Sequence, residues 1–222
     1  MMSRRVLLSW SSGKDAAYAL HRLRAQGDVE VVGLLTTLNE AFDRVAMHGV
    51  REALLEAQAA AVGLPLWKLP LPWPCSNEAY EAAMAGACAR AAAEGITGVA
   101  FGDLFLEDVR AYREGRLAGS GLEPVFPLWG EDTGSLARDM IASGLKATLV
   151  CVDPRALDPG FAGREFDAAL LADLPEGVDP CGERGEFHTF AWDGPMFRRP
   201  VKVARGEVVE REGFAFADLL PA

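Results

Sequence analysis

The stretch at residues 9–16, Ser-Trp-Ser-Ser-Gly-Lys-Asp-Ala, constrains this chain more than any other. It follows a short apolar strand at residues 6–8 and begins a helical pattern. A strand, a turn of small residues and a helix together form a geometry that holds phosphate. Small residues permit a tight backbone, and the start of the helix offers free N–H groups and a positive dipole end. Lys14 adds a full positive charge at the same place.

This phosphate-binding hypothesis competes with a simpler interpretation of the same residues. The spacing is not that of a Walker A loop, and it is not that of a dinucleotide-binding glycine motif. An ordinary turn between a strand and a helix, capped by Ser11 or Ser12, accounts for the same small polar side chains. The local pattern alone leaves both interpretations open.

Composition is that of an ordinary globular protein and narrows the range of partners. A chain of 222 residues can form one large domain or two modest ones, and half of its residues are hydrophobic. The formal net charge of −10 argues against a nucleic-acid partner that is held by charge alone. The sequence shows no signal-peptide pattern and no apolar span long enough to cross a membrane. We therefore expect a cytoplasmic protein with no membrane partner.

The cysteines and histidines do not indicate a metal centre. Cys75, Cys88, Cys151 and Cys181 are widely spaced and include no C-x-x-C pair, and three histidines do not complete a zinc pattern. Reduced, buried thiols are the expected state of these four residues.

The loop at residues 11–16 resembles the S-G-G-x-D-S pyrophosphate loop of ATP pyrophosphatases. Those enzymes split ATP between the α and β phosphates and transfer AMP to a carbonyl oxygen. Two positions depart from that pattern, because Ser12 replaces a glycine and Ala16 replaces the final serine. The loss of the second hydroxyl means that backbone N–H groups and Lys14 would carry more of the phosphate binding.

Apolar strand patterns alternate with helical patterns through the first part of the chain, which predicts a parallel sheet with helices on both faces. The predicted strands lie at residues 6–8, 29–37, 65–69, 99–101 and 122–126, and helices are predicted at about residues 14–26, 48–62 and 76–94. Thr36 and Thr37 close the second strand. Because ligands lie beyond the carboxyl ends of parallel strands, we expect both threonines to border the adenine.

Gly102 and Asp103 follow the fourth predicted strand, at the same edge of the sheet as the phosphate loop. A carboxylate there could bind Mg²⁺ on the pyrophosphate, and N-capping of the next helix is the alternative role of Asp103. Arg110 and Arg113 lie on that charged helix. A solvated helix face is the default expectation for both arginines, although one of them could approach the phosphates.

The alternation of strand and helix patterns ends near residues 127–130. We place a domain boundary there, between residues 1–128 and residues 129–222. In the second part, strands at residues 201–203 and 207–209 read as a closing hairpin that turns at Arg205 and Gly206. The apolar segment at residues 214–220 is expected to dock within the chain, and a homodimer stays open.

A glycine-rich acidic loop precedes the strand pattern that follows residue 186. It contains Gly182, Glu183, Gly185 and Glu186, with His188 two positions further on. Such a loop could bind a cationic substrate or ammonium, and a solvated hairpin turn is the alternative.

Several blocks in the same order make the whole chain similar to the diphthine–ammonia ligase family, as a bacterial-type member. They are residues 9–15, 48–51, 102–105, 124–129 and 181–189. The resemblance implies an α/β domain with a Rossmann-like (HUP-type) parallel sheet, and a smaller α+β C-terminal domain that binds the substrate and completes the cleft. It also implies a reaction in which ATP, a carboxylate and ammonia give an amide, AMP and pyrophosphate, with ATP and Mg²⁺ as cofactors.

The resemblance also implies roles for individual residues. The nucleotide would be bound by Ser9, Ser11, Ser12, Gly13, Lys14, Asp15, Thr36, Thr37 and Gly102. Asp15 would fix the loop or contact a metal indirectly, and Asp103 would support Mg²⁺. Glu183, Glu186 and His188 would line the acceptor side, where Glu186 or His188 would accept the proton lost when ammonia attacks.

The acceptor carboxylate is the least determined part of this prediction. Diphthine is a modified histidine of elongation factor 2, and a small molecule or another protein side chain is equally compatible with the sequence. Two other functions stay open at this point. One is a sulfur-transferring RNA enzyme of the same superfamily, with a persulfide on Cys75, Cys151 or Cys181. The other is a nucleotide-sensing module that binds ATP without cleaving it.

Overall fold

The computed structural model describes residues 3–39, 44–45 and 49–222. Within these residues the chain forms two β-sheets and six α-helices. The strands are β1 (Arg4–Ser9), β2 (Val29–Asn39), β3 (Arg44–Val45), β4 (Leu66–Leu71), β5 (Gly98–Ala100), β6 (Glu123–Val125), β7 (Lys146–Val152), β8 (Phe187–Asp193), β9 (Val203–Arg211) and β10 (Phe214–Pro221). The helices are α1 (Lys14–Gln26), α2 (Glu52–Val62), α3 (Asn77–Ala93), α4 (Glu107–Leu117), α5 (Thr133–Ala142) and α6 (Ala168–Asp173).

The first sheet has five parallel strands in the order β4–β2–β1–β5–β6, and the short β3 pairs antiparallel with the end of β2. The chain runs outward from β1 to β2 and β4 on one side, and returns to β5 and β6 on the other. The strand order therefore reverses between β1 and β5, where open α/β sheets bind their ligands. The predicted Rossmann-like α/β class is confirmed.

The middle of strand β1, at residues 6–8, is continuously apolar because both faces of the strand are buried there. Val6 and Leu8 belong to the hydrophobic core that contains α1 and α2, whereas Leu7 belongs to a second core that contains α3. Successive side chains of a strand point to opposite faces, so a sheet covered on both faces needs an apolar residue at every position. All three are at most 1% exposed. Burial of each side chain contributes about 1.5–3 kcal/mol to folding.

The second sheet is antiparallel, in the order β8–β7–β10–β9. The core beneath α1 and α2 continues into it, and includes Met140 of α5, Leu149 of β7 and Phe190 of β8. The smaller C-terminal part of the predicted fold is thereby confirmed. No helix within the described ranges is long and apolar enough to span a membrane.

The predicted turn at Arg205 and Gly206 is wrong. Both residues lie inside β9, and the chain turns instead at Glu212 and Gly213, with φ values of 51° and 81°. Two consecutive left-handed residues form the type of turn that matches the twist of a two-residue hairpin. Gly206 serves another purpose, because a Cβ atom there would lie 3.2 Å from the carbonyl oxygen of Asp218 on β10.

The apolar C-terminal segment docks within the chain, as predicted. It forms β10, which lies between β7 and β9. The helix predicted from residue 48 begins at Glu52, and His48 lies outside the described residues. The third predicted strand continues through Pro70 to Leu71, which is possible because this strand lies at the border of the sheet.

Candidate active site

A cavity with a volume of about 230 Å³ opens at the carboxyl ends of β1 and β5, where the strand order reverses. Residues from the start of α1, the end of β5, helix α4 and the loop before β8 line it. The cavity brings together eight residues that the sequence predicts for the site: Ser9, Ser11, Lys14, Asp15, Gly102, Asp103, Glu183 and His188. Five other predicted residues are not among those that line it: Ser12, Gly13, Thr36, Thr37 and Glu186.

The helix that begins the site is not capped by its own N-cap residue. Helix α1 starts at Lys14, and Gly13 at the N-cap position makes no side-chain capping hydrogen bond. The alternative of a turn capped by Ser12 is not what the structure shows, because the Ser12 hydroxyl has no partner among the described residues, whereas Ser11 Oγ accepts from the N–H of Gly13 at 3.4 Å. The N-terminal dipole of α1 stays directed at the cavity, as a site for an anion requires.

Ser12 carries two unfavourable features at once. Its φ is 71°, a left-handed conformation that costs a residue with a side chain about 1–2 kcal/mol. Its side chain is fully buried, and the hydroxyl oxygen has no hydrogen-bond partner among the described residues. An unsatisfied buried hydroxyl costs a further 1–3 kcal/mol or so. Strain of this kind clusters at ligand-binding loops.

Gln58 of α2 holds the loop at residues 10–12 through hydrogen bonds, and the sequence did not predict this residue for the site. Its side-chain amide donates to the carbonyl oxygens of Ser12 (3.0 Å) and Ala191 (2.5 Å), and accepts from the indole N–H of Trp10 (2.8 Å). Gln58 is fully buried. The available signal was a lone polar residue four positions after Leu54, on the otherwise apolar face of α2.

Lys14 has all three N–H groups of its ammonium occupied. Nζ lies 2.9 Å from each carboxylate oxygen of Asp15 and donates to the carbonyl oxygen of Cys181. It also lies 5.3 Å from the ring centre of Phe166 and 5.5 Å from that of Phe187. Burial acts to lower the pKa of Lys14, but Asp15, Cys181 and Glu183 together outweigh burial and raise that pKa above its ordinary value. Lys14 is therefore a charged group in the wall of the cavity.

The C-terminal sheet supplies part of the support of the loop at residues 11–14. The hydroxyl oxygen of Thr189 accepts from the backbone N–H of Lys14 at 3.0 Å, and the backbone N–H of Ala191 donates to the carbonyl oxygen of Ser12 at 2.9 Å. Both residues belong to β8. The loop is thus held between the first sheet and the second.

Gly102 allows the end of β5 to pass against the first turn of α1. A Cβ atom at this position would lie 2.9 Å from the carbonyl carbon of Asp15 and 3.0 Å from the backbone nitrogen of Ala16. These distances are shorter than real contacts of a Cβ atom with backbone. Only glycine permits this approach, which brings the following Asp103 to the cavity.

Asp103 faces the cavity and pairs with a cation. The guanidinium Nε of Arg113 lies 3.4 Å from its Oδ2. Burial raises the pKa of Asp103, and Arg113 opposes this shift. Helix α4 begins at Glu107 with Leu106 at its N-cap, so the alternative N-capping role of Asp103 is excluded. Arg113, for which a solvated face was the default expectation, lines the cavity.

Glu183 is a fixed carboxyl group that exchanges a proton near neutral pH. Its Oε1 accepts from the backbone N–H of Leu104 at 2.7 Å, and its own N–H donates to Asp179 at 2.9 Å. Burial, together with the charges of Asp15 and Asp103, raises the pKa of Glu183 to about 7, although the Leu104 hydrogen bond acts against this.

The other two residues predicted for the acceptor side have different surroundings. The Glu186 carboxylate accepts from the backbone N–H groups of Asp179 and Arg184, each at 3.0 Å, and thereby braces the loop. His188 lines the cavity, where burial and the Lys14 charge lower its pKa to about 4. Histidine at this position is therefore neutral at pH 7.

The two threonines predicted for the adenine lie away from the cavity lining. The Thr36 hydroxyl donates to the carbonyl oxygen of Trp10 at 2.7 Å, and so supports the segment between β1 and the loop at residues 11–14. Thr37 is half-buried at the same end of β2.

The described ranges contain no cluster of metal ligands, and two of the cysteines are held as protonated thiols. No group of three or more His, Cys, Asp or Glu residues there could hold a metal ion. All four cysteines are free thiols. Burial raises the pKa of Cys151 and of Cys181 to about 12, so both are protonated at neutral pH.

Comparisons with known proteins find domains of the same synthase in both halves of the chain. A family described as "Diphthamide synthase N-terminal domain" matches residues 4–122, and "Diphthamide synthase C-terminal domain" matches residues 132–218. Diphthine--ammonia ligases of Mus musculus and Homo sapiens are 28% and 27% identical over 234 residues, which cover 96% of this chain and 88% of each relative. The Danio rerio enzyme of the same name is 34% identical over 128 residues, which cover 55% of this chain and 50% of the relative.

Proposed function

This chain belongs to the diphthamide synthase family, and from that membership and the geometry of the cavity we propose that it is an ATP-dependent carboxylate–ammonia ligase that releases AMP and pyrophosphate. The observation that carries the proposal is the meeting of two features at one cavity. A phosphate-loop geometry lies on one side, and Glu183, with a pKa of about 7, lies on the other.

The reaction explains why both features are needed. A carboxylate does not react with ammonia at neutral pH, because an oxide or hydroxide is a poor leaving group. Transfer of AMP from ATP to the carboxylate gives a mixed anhydride and releases pyrophosphate. Attack by ammonia on its carbonyl carbon then breaks the bond to AMP. The protein must align the carboxylate with the α-phosphorus and balance the charge that develops on pyrophosphate.

The residues of the loop fit a triphosphate. The start of α1, whose N-cap residue is a glycine, directs its dipole at the cavity, and the buried Ser12 hydroxyl still lacks a hydrogen-bond partner among the described residues. Lys14 supplies positive charge from the cavity wall. The Lys14 ammonium already donates to the Asp15 carboxylate. Lys14 would therefore stabilise the phosphates through its charge, or a phosphate oxygen would replace Asp15 as its hydrogen-bond acceptor.

Asp103 would hold Mg²⁺ together with the phosphates of ATP. Mg²⁺ commonly takes one or two protein carboxylates and completes its shell with phosphate oxygens and water. A single carboxylate at the end of β5 meets this requirement without a dedicated cluster of ligands. When bound, the ion would neutralise charge on the pyrophosphate leaving group.

We assign the acceptance of the ammonia proton to Glu183. Glu186, the earlier candidate, uses both carboxylate oxygens to brace the loop, and His188, with a pKa of about 4, is a weak base. Glu183 lines the cavity and has a pKa near the working pH, which suits a general base. In this role it takes one proton from the nitrogen that attacks the acyl group.

The two other functions are not favoured. Sulfur transfer through a persulfide needs a thiolate, and the pKa values of Cys151 and Cys181 keep these thiols protonated. Cys75, the third candidate, is not among the residues that line the cavity. A sensor that only binds ATP has no use for a general base beside the phosphate loop. The acceptor is a carboxylate of a small molecule or of a protein, diphthine being one candidate, and we place the reaction in the cytoplasm, where free thiols such as these persist.

The experiment uses ATP labelled at the α-phosphate. The protein is incubated with labelled ATP, Mg²⁺, ammonium and either a metabolite extract or a protein extract, and the products are separated. Extract-dependent labelled AMP is the expected product. Its amount should fall strongly in a Lys14→Met variant, which keeps an apolar stem between Phe166 and Phe187 but loses the charge. Labelled ADP as the main product would contradict the proposal, as would the absence of any cleavage with both extracts.

A further inference from the structure

We infer that Gln58 is a positioning residue, which holds the phosphate loop in the conformation that binds ATP without touching the nucleotide itself. The inference rests on the proposed function only in that the loop is taken to bind the phosphates of ATP. It concerns a residue of α2 that no phosphate-loop pattern contains. Three observations carry it: the chemistry of the Gln58 contacts, the strain at Ser12, and the link to β8.

The Gln58 contacts require an amide. Indole N–H groups only donate and carbonyl oxygens only accept, so the contacts of Gln58 with Trp10, Ser12 and Ala191 fix which end of the amide is nitrogen. Leucine would fill a similar volume but leave three buried polar groups without this partner. Glutamate would place a negative oxygen against two carbonyl oxygens. No other side chain of this size satisfies all three groups.

The strain at Ser12 explains what this network achieves. A left-handed residue with a side chain persists only where its surroundings impose the conformation. The Ser12 carbonyl oxygen accepts two hydrogen bonds, from Gln58 (3.0 Å) and from the backbone of Ala191 (2.9 Å). These two donors fix the direction of the peptide that joins Ser12 to Gly13, and so set the direction of the N–H groups that follow it.

The link to β8 makes Gln58 a connection between the two sheets. Its amide contacts both partners of the Ser12–Ala191 backbone hydrogen bond, since it donates to the carbonyl oxygens of both residues. Two residues before Ala191, the Thr189 hydroxyl accepts from Lys14. Loss of Gln58 should therefore loosen the loop and its contact with the C-terminal sheet together.

The first test compares Gln58→Leu with Thr148→Val. Thr148 is also buried, and its hydroxyl accepts from the Trp192 indole in the C-terminal sheet. Both variants should lower the melting temperature. Only Gln58→Leu should weaken ATP binding measured by calorimetry, by tenfold or more, and raise the KM for ATP more than it lowers kcat. Equal effects of the two variants on ATP binding would overturn the inference.

The second test asks whether Gln58 acts through Ser12. Glycine adopts the left-handed conformation without strain, so Ser12→Gly should reduce the need for support. We expect the fold-loss in ATP affinity caused by Gln58→Leu to be at least threefold smaller when Ser12→Gly is also present. The same fold-loss in both backgrounds would contradict the inference. If Gln58→Leu does not fold, Trp10→Phe takes its place in both tests, because that variant removes one of the three hydrogen bonds of Gln58.

A readout that needs no ATP separates this inference from the proposed function. Amide hydrogen exchange of residues 11–14 reports the loop conformation in the protein alone. Gln58→Leu should accelerate that exchange tenfold or more, whereas Thr148→Val should not. Wild-type protein that fails to bind ATP would remove the proposed function and leave this measurement to decide the role of Gln58. Unchanged exchange in Gln58→Leu would overturn the positioning role whether or not ATP binds.

Discussion

At the scale of single residues, the polar groups of the site divide into those that hold the structure and those that face the cavity. The Glu186 carboxylate and the Thr36 hydroxyl bond to backbone groups. Glu183 and His188 line the cavity, and their pKa values shift in opposite directions. The residue types in the sequence do not reveal this division. The pKa of a glutamate or histidine side chain depends on its burial and on neighbouring charges, which a sequence motif does not give.

The first prediction concerns Glu183 as the base. Glu183→Gln should lower the rate of amide formation from ammonium by roughly 100-fold or more, because the variant cannot take the proton. Hydroxylamine is a weaker base than ammonia, so the nitrogen loses its proton to water more readily once it has attacked, and hydroxylamine should restore much of the rate. Product formation with both nucleophiles is the measurement.

The matched control is Glu176→Gln, at an exposed position. It should change neither rate. In the wild-type enzyme, the rate with ammonium should increase as the pH rises through about 7, the pKa of Glu183. Equal losses with ammonium and hydroxylamine in Glu183→Gln would contradict the assignment.

The second prediction concerns stability as a function of pH. The pKa of Glu183 is raised from 4.5 to about 7. Its contribution to the free energy of unfolding is therefore fully present below pH 4.5 and is lost as the pH rises through about 7. Relative to wild type, Glu183→Gln should gain stability between these values and keep that gain at pH 8. Urea unfolding from pH 5 to pH 8 measures the difference.

His188 acts in the opposite direction. Its pKa falls from 6.5 to about 4, so its contribution is present above pH 6.5 and is lost as the pH falls through about 4. Between pH 4.5 and 6.5 the two contributions change in opposite directions by similar amounts and largely cancel in the wild type, so the comparison of Glu183→Gln with wild type isolates Glu183. A difference between Glu183→Gln and wild type that does not change with pH would contradict the assigned pKa of Glu183.

At the scale of elements, the phosphate loop depends on how closely strand β5 approaches helix α1. The third prediction is that Gly102→Ala destabilises the protein by about 1–3 kcal/mol, because its Cβ atom would overlap backbone atoms of Asp15. ATP affinity should fall as well, since the start of α1 must move. Urea unfolding and calorimetry measure the two effects.

Gly115→Ala is the control for this substitution. Gly115 lies within α4, and a Cβ atom there would meet nothing within 4 Å. Alanine should therefore stabilise the helix by about 0.5–1 kcal/mol and leave ATP affinity unchanged. A Gly102→Ala variant that behaves like Gly115→Ala would show that the close approach does not matter.

Strands and helices whose sequence pattern indicates buried faces could be predicted from the sequence. The position of the turn that joins two strands could not. Strand β1 is apolar at residues 6–8 because both of its faces are covered there, and Gly63 ends α2 with a φ of 72°, as its sequence indicates. The β9–β10 hairpin was misplaced because Gly206 resembles a turn residue. Its true turn places Glu212 in a left-handed conformation that glutamate seldom adopts.

At the scale of the whole molecule, the site forms where the two sheets meet. Lys14 and Thr189 are 175 positions apart in sequence and hydrogen-bonded in the structure. The sequence predicts both the phosphate loop and the acidic loop, because each carries a local pattern. It does not predict which strand of the second sheet holds the first loop, or that Gln58 joins them, because such contacts depend on tertiary packing. The family resemblance supplied the expectation that the C-terminal part completes the cleft.

The central claim is that ATP cleavage to AMP and the formation of an amide from ammonia are one reaction. The most direct test supplies nitrogen-15 ammonium with Mg²⁺, ATP and the extract that supports AMP release, and measures the label in amide products beside the amount of AMP. The account predicts one labelled amide nitrogen for each AMP, and none without ATP. AMP release without incorporation of the label, or incorporation accompanied by ADP, would contradict it.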